Sequence, residues 1–158
     1  MTESCTSPIV CRTCGSVLGA CSCGQRSYVL NTDYRGLPGT TEQILRTFAT
    51  QYRTLMGEIA SIKSGSDQNL SLLRLSAQLI AHLPQVIQSA ADLASLPPNT
   101  LRSISYLGQE AQEAFEWSQQ EGRTAFELRT LLLPMGSKTG DPNYLEAIIE
   151  RQFGKIRE

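Results

Sequence analysis

The chain has 158 residues, 41% of them hydrophobic, and a formal net charge of −1 at pH 7. This size allows one compact domain with an appendage. No apolar run approaches the ~20 residues of a membrane span. The balanced charge argues against a protein that binds nucleic acid mainly by electrostatics, because such binding needs a surplus of Lys and Arg.

Four cysteines near the N-terminus follow the pattern Cys-x2-Cys-Gly and then Cys-x-Cys-Gly: Cys11, Cys14, Cys21 and Cys23. Zn²⁺ prefers a tetrahedron of thiolates, and pairs of neighbouring cysteines are how short loops supply them. A glycine follows each pair, where the backbone must turn back toward the sulfurs. Four thiolates complete the coordination shell, so the pattern predicts a structural zinc site.

This motif resembles the short zinc ribbons, in which two such cysteine pairs face each other across a hairpin. The resemblance covers residues 9–30, and it departs from the family pattern at Cys21-Ser-Cys23, which is one residue short. It implies a small hairpin module around one metal ion. Members of the family bind DNA, RNA or protein, or only stabilise a fold. Another tetrahedral arrangement, or a site shared between two chains, stays open.

Disulfides and an iron–sulfur cluster are the alternatives for these cysteines. The first ten residues lack the basic and apolar regions of a secretion signal. We therefore expect a reducing compartment, cytoplasmic or nuclear, in which disulfides are rare. Four thiolates can also hold iron and sulfur, but the compact knuckles favour zinc. Cys5 has no role in this site and belongs to a tail, residues 1–8, that we expect to be disordered.

The segment around the cysteines is mildly basic. The candidate nucleic-acid contacts are five arginines in and beside it: Arg12, Arg26, Arg35, Arg46 and Arg53. Three of them fall within residues 9–36, the predicted ribbon, against a single acidic residue, Asp33. The other two lie seven residues apart on the first predicted helix. Because Lys and Arg neutralise phosphates, this surface is the candidate interface; solvated arginines without a partner are the alternative.

A strand-like stretch at residues 27–30 could extend the hairpin, and residues 37–40 form a linker. Thr40 and Gln43 then predict a capping box at the start of the first helix. Six apolar residues follow at spacings of three and four: Leu45, Phe48, Tyr52, Leu55, Ile59 and Ile62. Two heptads are too few to assert a coiled coil, so the pattern favours packing within a bundle.

The second helix is predicted over residues 68–96, where only Arg74 and Asp92 carry a formal charge. So few charges favour contacts on more than one side, either at the centre of the bundle or at a self-association surface. Pro84 should kink this helix or split it in two, because proline lacks the N–H group and clashes with the preceding turn.

Pro97-Pro98 ends that stretch, and a third helical region follows. Its later apolar positions are Ala125, Leu128, Leu131 and Leu132. Glu110, Glu113 and Glu116 form an acidic ridge, and Trp117 is expected at the rim of the core. After a linker at residues 133–141, Asp141-Pro142 predicts the start of an amphipathic C-terminal helix, residues 142–158. It must dock on its own bundle or on another molecule.

The predicted fold is therefore mainly α: an N-terminal four-cysteine zinc ribbon (residues 9–36) and a bundle of about four helices (residues 41–132), with the C-terminal helix. No catalytic motif is recognisable, and His82, the only histidine, has no Cys, Asp or Glu within one helical turn. We therefore expect no enzyme, no small-molecule substrate and no membrane span.

Three functions fit this pattern. The first is a zinc-binding adaptor or regulator that oligomerises through its helices and contacts nucleic acid or a nucleoprotein complex through the ribbon. The second is a protein-binding scaffold with structural zinc, and the third is a thiol redox or metal-handling protein. The net charge favours the scaffold over the first function, whereas the ribbon resemblance and the local arginines favour the first, which is narrowly preferred.

Overall fold

The computed structural model describes residues 9–13, 28–30, 39–63, 66–120, 122, 124–132 and 145–154. Two strands and five α-helices lie within these ranges: β1 (Ile9–Cys11), β2 (Tyr28–Leu30), α1 (Thr41–Ala60), α2 (Asp67–Ile87), α3 (Pro98–Ser118), α4 (Ala125–Leu132) and α5 (Leu145–Phe153). A 3-10 turn at Leu93–Ser95 separates α2 from α3. The prediction of a mainly helical chain is confirmed.

The start of α1 carries the predicted capping box. The Thr40 hydroxyl accepts a hydrogen bond from the Gln43 N–H at 3.2 Å, and the Thr40 N–H donates to Gln43 Oε1 at 3.0 Å. A second cap comes from the loop after α2, because Asp92 Oδ1 accepts from the Thr41 N–H at 2.7 Å. These bonds satisfy N–H groups that have no partner within the helix.

Helix α2 is the centre of the molecule and packs against α1, α3, α4 and β2. Its interior position accounts for the scarcity of charge in its sequence. By length and composition it is the single helix, among those that the structure describes, that could cross a membrane; burial in the core accounts for the same composition.

The prediction that the second helix extends to residue 96 is wrong. Helix α2 ends at Ile87, and the Ala91 N–H donates to the Gly39 carbonyl at 2.8 Å instead of continuing the helix. The bond to Gly39 and the cap from Asp92 tie this loop to the start of α1. The chain therefore leaves the helix to make contacts with a distant segment.

Pro84 does not split α2, which continues through it as one helix. The ring lies against the backbone of α3 at Gly108: a Cβ atom added to that glycine would be 2.3 Å from Pro84 Cγ. Gly108 is buried, so it provides the space into which the proline fits. A glycine at position 108 thus allows α2 and α3 to approach closely at the proline ring.

Helix α5 packs on α1 and α3 of its own chain. Five consecutive residues, Leu145 to Ile149, are buried. Arg53 of α1 forms an ion pair with the buried carboxylate of Glu146. The Thr100 hydroxyl of α3 donates to Gln152 Oε1 at 2.9 Å. Of the two docking modes open to the C-terminal helix, the structure has the intramolecular one; the predicted start at residue 142 lies outside the described residues.

Candidate metal centre

The two strands pair antiparallel, with Ile9 opposite Leu30, Val10 opposite Val29 and Cys11 opposite Tyr28. The strand-like stretch of the sequence is thus a strand that pairs with β1. This register holds Cys11 beside Tyr28, and 16 residues separate the two in the sequence. The other three predicted zinc ligands fall within those 16 residues.

One face of this β-hairpin is part of the hydrophobic core. Ile9, Cys11 and Tyr28 are buried, and Leu30 is partly buried against the same core cluster. Val10 and Val29 alternate with them and are half-buried. Since side chains alternate between the two faces of a strand, the Cys11 face packs inward, where β2 contacts α2. The hairpin and the helices therefore share one core.

Cys11 is the single predicted ligand that the structure describes; Cys14, Cys21 and Cys23 lie outside the described residues, as does Cys5. The chain turns at Arg12 and Thr13, directly after Cys11, where a Cys-x2-Cys knuckle requires a turn. The donor set of four thiolates fits Zn²⁺.

No group of three or more His, Cys, Asp or Glu side chains comes together within the described part of the chain. The zinc site therefore stays a prediction from the cysteine spacing, with Cys11 placed opposite Tyr28 in the strand register.

The structure describes three of the five candidate arginines. Arg12 is exposed in the turn after β1. Arg46 Nε lies 2.8 Å from Glu42 Oε2, one turn earlier on α1, and Arg53 pairs with Glu146. The Arg53 pair therefore joins α1 to α5, whereas the Arg46 pair lies within α1. Arg26 and Arg35 lie outside the described residues.

Helix α4 carries an exposed apolar surface that was not predicted from the sequence. Phe126 on α4 is 76% exposed and Leu131 is 44% exposed, although the apolar spacing placed Leu131 on the buried face. Helix α4 has only eight residues, and its buried positions are Ala125, Leu128 and Leu132. A helix this short contains too few turns for spacing to distinguish the buried stripe from its neighbours.

The acidic ridge lies on α3, where Glu113 and Glu116 are exposed and Glu110 is half-buried. The charge of Glu110 and its hydrogen bond raise the pKa of Tyr106, which is exposed one turn earlier. Trp117 is partly buried against the core, as expected for a residue at its rim. These features describe a solvated helix face with one exposed aromatic side chain, Tyr106, while Trp117 packs at the edge of the core.

His82 lies on α2 and is half-buried, and burial lowers its pKa.

Tyr52 is buried on α1, and its hydroxyl donates to the Leu132 carbonyl at the end of α4. Burial strongly raises the pKa of Tyr52. The Tyr52 hydroxyl connects two helices.

No protein-family model matches this sequence, and no curated protein or solved structure is significantly similar to it.

Proposed function

We propose that this chain is a non-enzymatic adaptor in which a structural zinc ion stabilises an N-terminal hairpin packed on a helical core, and that its partner is another protein. The proposed ligands are Cys11, Cys14, Cys21 and Cys23. The observation that carries the proposal is the pairing of Cys11 with Tyr28. This pairing brings one predicted ligand, Cys11, into the core that the two strands share with the helices.

The small size of the hairpin supports a structural role for the metal. A two-stranded sheet is marginal in water by itself, and here the ladder has three residue pairs. Sixteen residues separate Cys11 from Tyr28, and fixing a connection of that length adds an entropic cost. Zinc bound by Cys11 and by the three cysteines that follow it in this segment would offset the cost, as it does in small metal-dependent domains.

Charge and exposure support a protein partner. The formal net charge is −1, and two of the five candidate arginines have carboxylate partners within the chain. The most exposed large apolar side chain that the structure describes is Phe126. Aromatic side chains are enriched at protein interfaces, and charged residues are depleted from the interface core. Charge and exposure therefore favour the protein-binding scaffold over the nucleic-acid adaptor that the cysteine motif and the local arginines favour.

Nucleic-acid binding is the second candidate, because Arg12 is exposed beside Cys11 and belongs to the segment that also carries Arg26 and Arg35.

Self-association is a separate prediction. The heptad seam of α1 is occupied within the chain, since its residues from Leu45 to Ile59 are buried. Oligomer formation therefore depends on other surfaces and stays a prediction.

The two candidates are separated by a fluorescence anisotropy titration with mixed-sequence DNA and RNA at two salt concentrations. The test variant replaces Arg12, Arg26 and Arg35 by alanine, and Arg129→Ala, an exposed arginine on α4, is the control. We expect no salt-sensitive binding by the wild type. Salt-sensitive binding by the wild type that the triple variant loses would instead establish the nucleic-acid interface. For each phosphate contact removed, the slope of log affinity against log salt concentration should become shallower by about one.

The protein partner is tested by affinity capture with wild type, Phe126→Ser and Arg129→Ser, followed by quantitative mass spectrometry. We expect a bound protein that Phe126→Ser loses and Arg129→Ser keeps, because both residues are exposed on α4 but only Phe126 is apolar. Identical capture by all three forms would exclude this face as the docking surface.

A further inference from the structure

We infer that the groove between α1 and α3, which α5 occupies, is a helix-binding site that also accepts α5 from a second copy of the chain. Two copies would then exchange their C-terminal helices. The inference goes beyond the proposed function and is independent of the zinc site. Three features of the helices support it: the position of α5 in the bundle, the contacts at the end of α4 and the start of α5, and the charge of the groove.

Helix α5 is peripheral to the bundle. Helices α1, α3 and α4 all pack on the central helix α2, whereas the main contacts of α5 are with α1 and α3. Among the described elements, α1 and α3 hardly touch each other, so α5 fills the groove between them. Removing α5 therefore leaves the contacts around α2 in place.

The groove fits the apolar face of α5. Leu145, Ile148 and Ile149 are completely buried. A helix of nine residues is marginal in water by itself, so α5 depends on its docking site in order to fold. This fit depends on the sequence of α5 and not on which copy supplies it. Because a second copy carries the identical helix, the exchanged arrangement makes the same contacts.

The connection between α4 and α5 is longer than their attachment to α1 requires. The Tyr52 hydroxyl of α1 donates to the Leu132 carbonyl at the end of α4, and the next residue, Arg53, pairs with Glu146 at the start of α5. Neighbouring residues of one helix thus hold the two ends of a connection that has 12 residues in the sequence, 133–144. Twelve residues can span roughly 40 Å when extended. The length of the connection therefore does not confine α5 to the groove of its own chain.

The ion pair between Arg53 and Glu146 gives the groove a charge preference. The Glu146 side chain is 7% exposed, whereas the Arg53 side chain is 54% exposed. A buried carboxylate that loses its cation is disfavoured, and a like charge in place of the cation adds repulsion. Reversing one of the two charges should therefore exclude α5 from its own groove. A second copy with the complementary charge should restore the docking.

The first test mixes two chains with opposite charge reversals. Arg53→Glu and Glu146→Arg each place like charges in their own groove, but the groove of each chain matches the α5 of the other. We expect each variant alone to be a monomer and the mixture to form a dimer with one chain of each, detected by light scattering and native mass spectrometry.

The expected gain in affinity follows from the two grooves. A short flexible connection gives α5 an effective concentration in the millimolar range, so the wild type should exchange helices only near that concentration. The mixed dimer relieves two mismatches. If each mismatch is worth about tenfold or more, the mixed dimer should be at least about 100-fold tighter than that of the wild type.

The matched control carries both reversals in one chain, so its groove accepts its own helix. It should be a monomer in which hydrogen exchange shows α5 protected, and far-ultraviolet circular dichroism should show that all variants keep their other helices. If the mixed single variants stay monomeric while the control protects α5, the inference is wrong. A dimer that Glu146→Arg forms by itself would also overturn it, because the contact between copies would then lie elsewhere.

The second test decides the question if the control fails to dock its own α5. Ile148→Asp places a charge at a completely buried position of α5 and should free the groove of its own helix. A fluorescein-labelled peptide of residues 142–158 is titrated with this variant, with the wild type, and with Ile148→Asp combined with Arg53→Glu. We expect Ile148→Asp to bind the peptide at least about tenfold more tightly than the wild type, whose own α5 competes, and Arg53→Glu to reverse that gain. An Ile148→Asp chain that keeps its other helices and binds the peptide no better than the wild type would overturn the inference.

Discussion

Replacing Gly108 by alanine tests how closely α2 and α3 approach each other. The added Cβ would lie 2.3 Å from Pro84 Cγ, 2.7 Å from Pro84 Cδ and 3.6 Å from the Ala81 carbonyl oxygen. Carbon atoms in contact are about 3.5–4.0 Å apart, so the overlap with the ring exceeds about 1 Å. A proline ring is closed onto its own backbone and cannot rotate away, so the two helices must move apart.

The expected loss follows from two opposing contributions. Overpacking a core costs about 1–3 kcal/mol, and the rigid ring places this site at the upper end. Alanine in a helix gains about 1 kcal/mol over glycine. We therefore expect Gly108→Ala to lower the free energy of unfolding by about 2 kcal/mol, which corresponds to a fall in melting temperature of roughly 4–8 °C for a chain of this size.

Urea denaturation followed by circular dichroism measures this loss. Gly57→Ala on α1 is the matched control, because no atom lies within 4 Å of the added Cβ; it should raise the free energy of unfolding by about 0.5–1 kcal/mol. Combining Gly108→Ala with Pro84→Ala should recover part of the lost stability. A Gly108→Ala protein as stable as the wild type would refute the close approach of the two helices.

Three further predictions concern the Asp92 cap, the buried ion pair of Glu146 and the half-buried His82. Asp92→Ala removes the acceptor for the first N–H of α1 and should lower the free energy of unfolding by about 1 kcal/mol in urea titration; no change would mean that this cap contributes nothing. Arg53→Ala leaves the carboxylate of Glu146, 5% exposed, without its ion pair, and should cost about 1–3 kcal/mol. Arg46→Ala, which breaks a surface pair within one helix, should cost less than about 0.5 kcal/mol. Equal losses of stability in Arg53→Ala and Arg46→Ala would mean that the burial of Glu146 does not strengthen its pair. Burial lowers the pKa of His82, so protonation favours the unfolded chain: the free energy of unfolding should fall as pH drops below about 6.5, and His82→Gln should show a smaller fall over the same range.

Features that depend on neighbouring residues could be predicted from the sequence. The capping box joins Thr40 to Gln43 three residues later, and both of its bonds are present. The buried positions of α1 follow the apolar spacing from Leu45 to Ile59. The zinc hypothesis has the same local character, since the cysteine pairs and their glycines are close in sequence.

Features that depend on distant residues could not be predicted. Asp92 caps Thr41 from 51 residues away, and that contact helps to explain why α2 ends early. Pro84 lies inside a continuous helix with its ring against Gly108 of another helix, a contact that the apolar spacing does not show. Periodicity shows that a residue is apolar or charged, but not which distant residue it will meet.

The candidate nucleic-acid interface also depends on a contact between distant residues. On the sequence, Arg53 is one of two exposed arginines on an amphipathic helix; in the fold it pairs with Glu146, 93 residues away. The fold thereby gives this charge a structural role and reduces the basic surface available to a nucleic acid.

The metal content of the purified protein tests the central claim most directly. Elemental analysis should find one zinc ion per chain in the wild type and in Cys5→Ser, because Cys5 lies outside the predicted site. Cys14→Ser should lose the metal, because it removes one of four thiolates. Equal zinc content in Cys5→Ser and Cys14→Ser, or a wild type without zinc when produced in zinc-supplemented medium, would contradict the account.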